Sequence, residues 1–106
     1  MNTSSSPANV TQMLENCLGC KWTMHVLEQI RQGIRRPGQL ERTAVGLTTK
    51  VLGERLEKLR RYSLIEKTDY DESPPRVEYH LTPFGQKCVE ILDQFQALQV
   101  AYKPTG

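Results

Sequence analysis

The sequence predicts a mostly helical domain of the α+β class, five helices with one two-stranded hairpin. Three observations carry this. Apolar residues recur at three- and four-residue spacing through most of the 106-residue chain, the period of helices with one buried face. The segment Arg76 to Leu81 alternates instead, with Val77, Tyr79 and Leu81 to one side and Arg76, Glu78 and His80 to the other, the period of a half-buried strand. Just before it, "ESPPR" places two prolines where neither a helix interior nor a central strand accepts them, so a stiff turn leads into that strand.

The elements follow in order. Met1 to about Ala8 is polar and is expected to be disordered; residues 9–103 are expected to form a single domain. Val10, Met13, Leu14 and Cys17 keep helical spacing, which predicts a first helix over about 9–18, ended or kinked at Gly19. Trp22, Val26, Leu27 and Ile30 give a second helix that stops near Gly33. Pro37 suits the first turn of a short third helix, and Gly46 marks a turn. Thr48 is a good N-cap for a fourth helix running to about Tyr62. Leu52, Leu56 and Leu59 form its apolar stripe, and at 100° per residue Lys50, Glu54, Lys58 and Arg61 land on the opposite face. Leu64 to Asp71 and Arg76 to Leu81 are the two strands. Thr82 and Pro83 together are a helix start. The last helix, to about Val100, carries Phe84, Cys88, Ile91, Leu92, Phe95 and Leu98 as one apolar stripe.

A two-stranded hairpin is marginal alone and must lean on helices. Two helices joined by a glycine turn, then a ribbon, outline a winged helix-turn-helix domain with flanking N- and C-terminal helices. In such a domain the second helix of the motif enters the major groove of DNA and the hairpin reaches a neighbouring groove. A stiff tip with a cation, Pro74, Pro75 and Arg76, suits that task; the bland alternative is a hairpin that only avoids edge-to-edge pairing.

Charge is distributed unevenly. Lys21 to Arg61 holds ten Lys and Arg against four Asp and Glu, a net of +6, while the whole chain carries +2. A basic block between acidic flanks suggests an anionic partner for one face. No apolar run approaches the roughly 20 residues of a membrane span, and the start lacks the pattern of a signal peptide, so a cytoplasmic protein without membrane contact is expected.

Three blocks, "KWTMHVLEQI" at 21–30, "GLTTKVLGERLEKLRRYSLIEK" at 46–67 and "YDESPPRVEYHLTPFGQ" at 70–86, carry a resemblance. Over about residues 14–98 the chain resembles the HxlR-type family of bacterial winged-helix transcriptional regulators, relatives of the MarR group. The resemblance implies a homodimer that binds double-stranded DNA at a palindromic operator. It implies that Thr48 caps the recognition helix, that Thr49, Lys50, Gly53, Glu54 and Arg55 face DNA, and that Arg76 is the wing arginine; Lys58 joins them from its place on the helix back. It also implies a dimer contact built from the first and last helices, here Met13, Leu14, Cys88, Ile91, Leu92, Phe95 and Leu98. Lys50 or Arg55 would read guanine, and Glu54 would either accept from cytosine or pair with Lys50 or Lys58. There are departures: Pro37 and Gln39 stand where the family usually has Phe and Glu, and Asn9 stands where many redox-sensing members carry a cysteine.

The three cysteines leave several readings open. Cys17 and Cys20 form a Cys-x-x-Cys pair next to Lys21, a setting that lowers a thiol pKa and favours oxidation. Cys17 is also a small core residue on its helix stripe, and Cys88 is core or dimer contact. A zinc site wants four ligands, and His25 and His80 are scattered; no metal and no cofactor are expected. No nucleophile–base arrangement or phosphate-cradling loop is present, which argues against an enzyme. The rival class is a winged helix that binds protein and has lost DNA contact; it would need an apolar or acidic outer face on the fourth helix.

Overall fold

The computed structural model describes residues 9–102. The expected disordered start, Met1 to Ala8, and Lys103 lie outside the described residues. The elements are α1 (Val10–Met13), a π-helical segment (Leu14–Leu18), α2 (Thr23–Arg31), α3 (Pro37–Glu41), α4 (Thr49–Arg61), β1 (Ile65–Tyr70), β2 (Arg76–Leu81) and α5 (Pro83–Ala101). The winged helix-turn-helix outline is the one the sequence predicts. β2 has the expected bounds, and the other ends fall within a few residues of expectation.

Local chemistry starts the helices where the sequence placed them. The Thr48 hydroxyl accepts from the Val51 N–H at 3.1 Å, and the Thr82 hydroxyl accepts from the Gly85 N–H at 2.9 Å with Pro83 following it. Each satisfies one of the amides a helix start leaves open.

The first helix differs from expectation. It is α-helical only to Met13 and then opens into the wider π turn, where the Gly19 N–H reaches the Leu14 carbonyl at 2.9 Å. Glycine permits this approach: a Cβ at position 19 would stand 3.0 Å from that same oxygen. The extra residue per turn keeps Met13, Cys17 and Leu18 buried and turns Leu14 outward.

Leu52, Leu56 and Leu59 bury against Val26, Leu27 and Ile30 of α2, with Leu40 and Leu47 completing the core of the helical motif. Each such side chain contributes about 1.5–3 kcal/mol by leaving water. The hairpin is antiparallel, pairing Ile65 with Leu81 and Tyr70 with Arg76. It leans on the helices as required: Tyr79 is buried, and its N–H donates to the Arg35 carbonyl at 2.9 Å. Glu28 and Asp93 each hold Arg31 at 2.7 Å, joining α2 to α5.

α5 is buried only near its start, through Gly85, Cys88 and Val89. Asp93 keeps it beside α2, while the adjoining face that carries Ile91, Phe95 and Leu98 has no cover within the protomer. Ile91 is 53%, Phe95 64% and Leu98 60% exposed.

Candidate nucleic-acid interface

α4 divides its residues between two environments. The leucine seam fixes it to the body, so its back is turned to solvent over Thr49, Lys50, Gly53 and Glu54. No hydrogen bond or ion pair engages Lys50 among the described residues. Around Gly53 the surface is open: a Cβ there would meet nothing within 4 Å, so another backbone can approach this turn closely. The Thr49 hydroxyl donates to Glu41 at 2.8 Å and thereby ties the start of α4 to the end of α3. Glu54 lies beside Arg55 at 3.7 Å, rather than pairing with Lys50 or Lys58.

Two expected outward cations are placed differently. Arg55 donates from Nε to the Lys21 carbonyl at 2.7 Å, and Lys58 donates from Nζ to the Asn16 carbonyl at 2.7 Å. The reason is angular. Taking 100° per residue, Arg55 lies about 70° and Lys58 about 130° from the centre of the leucine stripe, on the flank that faces the turn between the π segment and α2. Lys50 and Glu54 lie opposite the stripe and do project.

The wing arginine is also engaged. Register places Arg76 across from Tyr70, and its guanidinium stacks 4.0 Å from the centre of that ring. It pairs with Glu72 at 3.0 Å and stands 3.7 Å from Glu78. Arg36 and His80 approach the same Glu78 carboxylate at 3.8 Å and 3.5 Å. These are partly exposed pairs of small individual worth, but they hold the cation against the hairpin.

The thiols divide sharply. Cys17 and Cys88 are buried, and Cys20 is partly exposed. Burial, with Cys20 as a smaller contribution, pushes the Cys17 thiol up from 9.0 to about 11, and burial raises Cys88 as well. At Cys17 loss of water outweighs the nearby cations Lys58 and Arg61, so of the two readings of this residue the small core side chain is the one its surroundings fit. The Cys20 Sγ donates to the Asn16 carbonyl at 3.4 Å and receives Lys58 at 3.4 Å.

The residues expected at a dimer contact also divide. Met13 and Cys88 belong to the protomer core and leave little surface for a second copy. Leu92 is half-buried against the core. Leu14, Ile91, Phe95 and Leu98 are exposed.

Among the described residues, no group of three or more His, Cys, Asp or Glu could hold a metal ion, and no helix is long and apolar enough to cross a membrane.

Comparison with known proteins points one way. A family model described as HxlR-like helix-turn-helix matches residues 17–105. The uncharacterised HTH-type transcriptional regulator sll1512 of Synechocystis sp. is 39% identical over 84 residues, which is 79% of this chain and 59% of the relative. The uncharacterised HTH-type transcriptional regulator YtcD of Bacillus subtilis is 32% identical over 80 residues, covering 76% of this chain and 64% of the relative. The chain thus spans under two thirds of the length of both. Among solved structures, the reduced form of the transcriptional regulator YodB from B. subtilis superposes with a TM-score of 0.79 over 93% of this chain and 97% of that one. At 23% identity this is a likeness of fold.

Proposed function

The chain belongs to the HxlR-like helix-turn-helix family, whose sequence relatives are named transcriptional regulators, and from that premise we propose that it binds double-stranded DNA as a homodimer. The observation that carries the reading is the outer face of α4. Its capped start presents Thr49, Lys50, Gly53 and Glu54 to solvent while Leu52, Leu56 and Leu59 hold the helix to the body. A helix so mounted fits a major groove. Its open first-turn amides favour a phosphate, and Lys50 has the reach for guanine O6 and N7. Two such helices related by a two-fold axis call for a palindromic site. Arg76 joins the interface when the duplex docks: a phosphate takes the place of the Glu72 carboxylate while the Tyr70 stack persists.

Titration of a labelled duplex by anisotropy tests this. Binding should weaken steeply as salt rises, and Lys50→Ala should cost about 1–3 kcal/mol on a selected site and relax its sequence preference. Equal affinity of parent and variant removes Lys50 from the reading, and no binding by the parent at low salt removes the reading itself.

Modulation through cysteine is part of the proposal and narrows to Cys20, the one thiol of the three that is not buried. In the native protein an aromatic disulfide reagent should label one thiol quickly and the other two slowly. Cys20→Ser should abolish the fast phase; a fast phase that survives in that variant shifts the reactive position to Cys17 or Cys88.

A further inference from the structure

We infer that Arg55 and Lys58 are positioning residues, Lys58 capping the end of the N-terminal helical segment and Arg55 the turn that follows it before α2, which together fix the angle of α4 to the part of the chain that carries Leu14. This rests on the duplex-binding reading above.

A helix end leaves carbonyls without amide partners. Here the Gly19 N–H takes Leu14 and the Cys20 N–H takes Cys17, at 2.9 Å and 3.0 Å. Past the turn, the Thr23 N–H takes Cys20 and the Val26 N–H takes Trp22. The Asn16 and Lys21 carbonyls are among those in this stretch without a backbone donor in the described residues, and Asn16 has the Cys20 thiol at 3.4 Å. Both are filled from α4, Asn16 by Lys58 and Lys21 by Arg55, each at 2.7 Å. Lys58, at the C-terminal end of the π segment, is favoured by the helix dipole as well as by the hydrogen bond, whereas Arg55 holds the turn just before α2 by the hydrogen bond alone. These two differ from ordinary caps in coming from 42 and 34 residues away.

The capped turn is itself constrained. Trp22 has φ of 76°, the left-handed region, without being glycine. This conformation costs about 1–2 kcal/mol and persists where the surroundings over-determine it. Lys21 stands 5.4 Å over the Trp22 ring, and the ring meets His25 edge-on with centroids 5.8 Å apart. The turn is thus gripped from α2 on one side and from α4 on the other.

The functional consequence is geometric. Leu14 lies on the same segment as Asn16, and in the proposed dimer it belongs to the contact between copies. Two recognition helices must be held about 34 Å apart to enter successive major grooves. The pair of caps joins the dimer-facing segment to the duplex-facing helix, so that spacing is transmitted through them. Their role is therefore separate from neutralising phosphate.

The test compares the parent with Arg55→Met, Lys58→Met and the double variant, with Arg55→Lys as the conservative control. Trp22 is the sole tryptophan and reports the clamp without DNA, through quenching of its fluorescence by acrylamide. The double variant should quench more readily, and Arg55→Lys should return part of the protection. On a random-sequence duplex the salt slope should stay that of the parent. On a site selected by the parent, affinity should fall roughly three- to tenfold, the net worth of one ordinary intramolecular hydrogen bond. Unchanged Trp22 quenching in the double variant overturns the inference, whatever DNA does. So does a salt slope that falls by about two, since each phosphate contact contributes about 0.9. Absence of DNA binding by the parent defeats the duplex reading alone, and the quenching measurement then decides the clamp.

Discussion

Gly85→Ala is expected to lower the melting temperature by about 15 °C or to prevent folding. Gly85 opens α5, and its N–H donates to the Thr82 hydroxyl at 2.9 Å. Thr82 in turn donates its own N–H to the Leu64 carbonyl at 3.1 Å. The helix therefore starts directly on the chain entering β1. A Cβ at position 85 would overlap the Leu64 carbonyl oxygen and stand 2.9 Å from its carbon. All these atoms are backbone, so no side-chain rotation relieves the clash. Either α5 lifts from β1, withdrawing Cys88 and Val89 from the core, or the hairpin shifts against α2. Overpacking of this kind costs about 3 kcal/mol or more, a large share of the about 5–15 kcal/mol that holds a domain together. In a domain of this size 1 kcal/mol moves the midpoint by about 4–8 °C. Gly53→Ala is the control. It adds a methyl group to open space in mid-helix and should raise stability by about 0.5–1 kcal/mol. Melting followed by far-ultraviolet circular dichroism measures both. A Gly85→Ala protein that melts with the parent would mean that α5 does not seat on Leu64.

That glycine was visible in the sequence as part of the Thr-Pro-Phe-Gly start of α5, yet nothing in the sequence said what it touches. The same division runs through the molecule. Features set by neighbours along the chain were legible. Thr48 and Thr82 cap because a hydroxyl reaches amides three residues on, and β2 spans Arg76–Leu81 because alternation follows a proline turn. Features set by distant partners were not. The helical wheel gives Arg55 and Lys58 a direction, and their acceptors lie on a turn that the sequence alone does not bring near α4. The π turn depends on a close approach at Gly19 and moves Leu14 off the stripe to which its spacing assigned it. Arg76 was placed at the wing by the turn, but its stack on Tyr70 follows from the register, which the sequence left open. The stripe of α5 was read as one face, but the core takes Cys88 together with Gly85 and Val89 while Ile91, Phe95 and Leu98 stand on the adjoining open side, because periodicity does not record what stands opposite a face.

That uncovered stretch of α5 underlies the last expectation: Phe95→Asp should convert the proposed homodimer to monomer and weaken binding to a two-half-site duplex by about a hundredfold or more. Ile91, Phe95 and Leu98 recur at one helical turn and all stand open to solvent, so a charge at Phe95 leaves the protomer core intact. Helicity and melting of the monomer should accordingly change little, within the about 0.5 kcal/mol typical of surface substitutions. At a contact between two copies the same carboxylate is buried twice without a partner, which costs several kcal/mol. Once the copies separate, the second half-site is no longer engaged intramolecularly, and the gain of about 10²–10⁴ that linkage gives is lost. Sedimentation velocity should show the parent at twice the 12.1 kDa chain mass and the variant at that mass. The salt dependence should fall with it, because one protomer neutralises about half the phosphates of two. A Phe95→Asp protein that stays dimeric and keeps its affinity would put the contact elsewhere. The exposed stripe would then need a different partner, since an apolar face of this extent is seldom left to water.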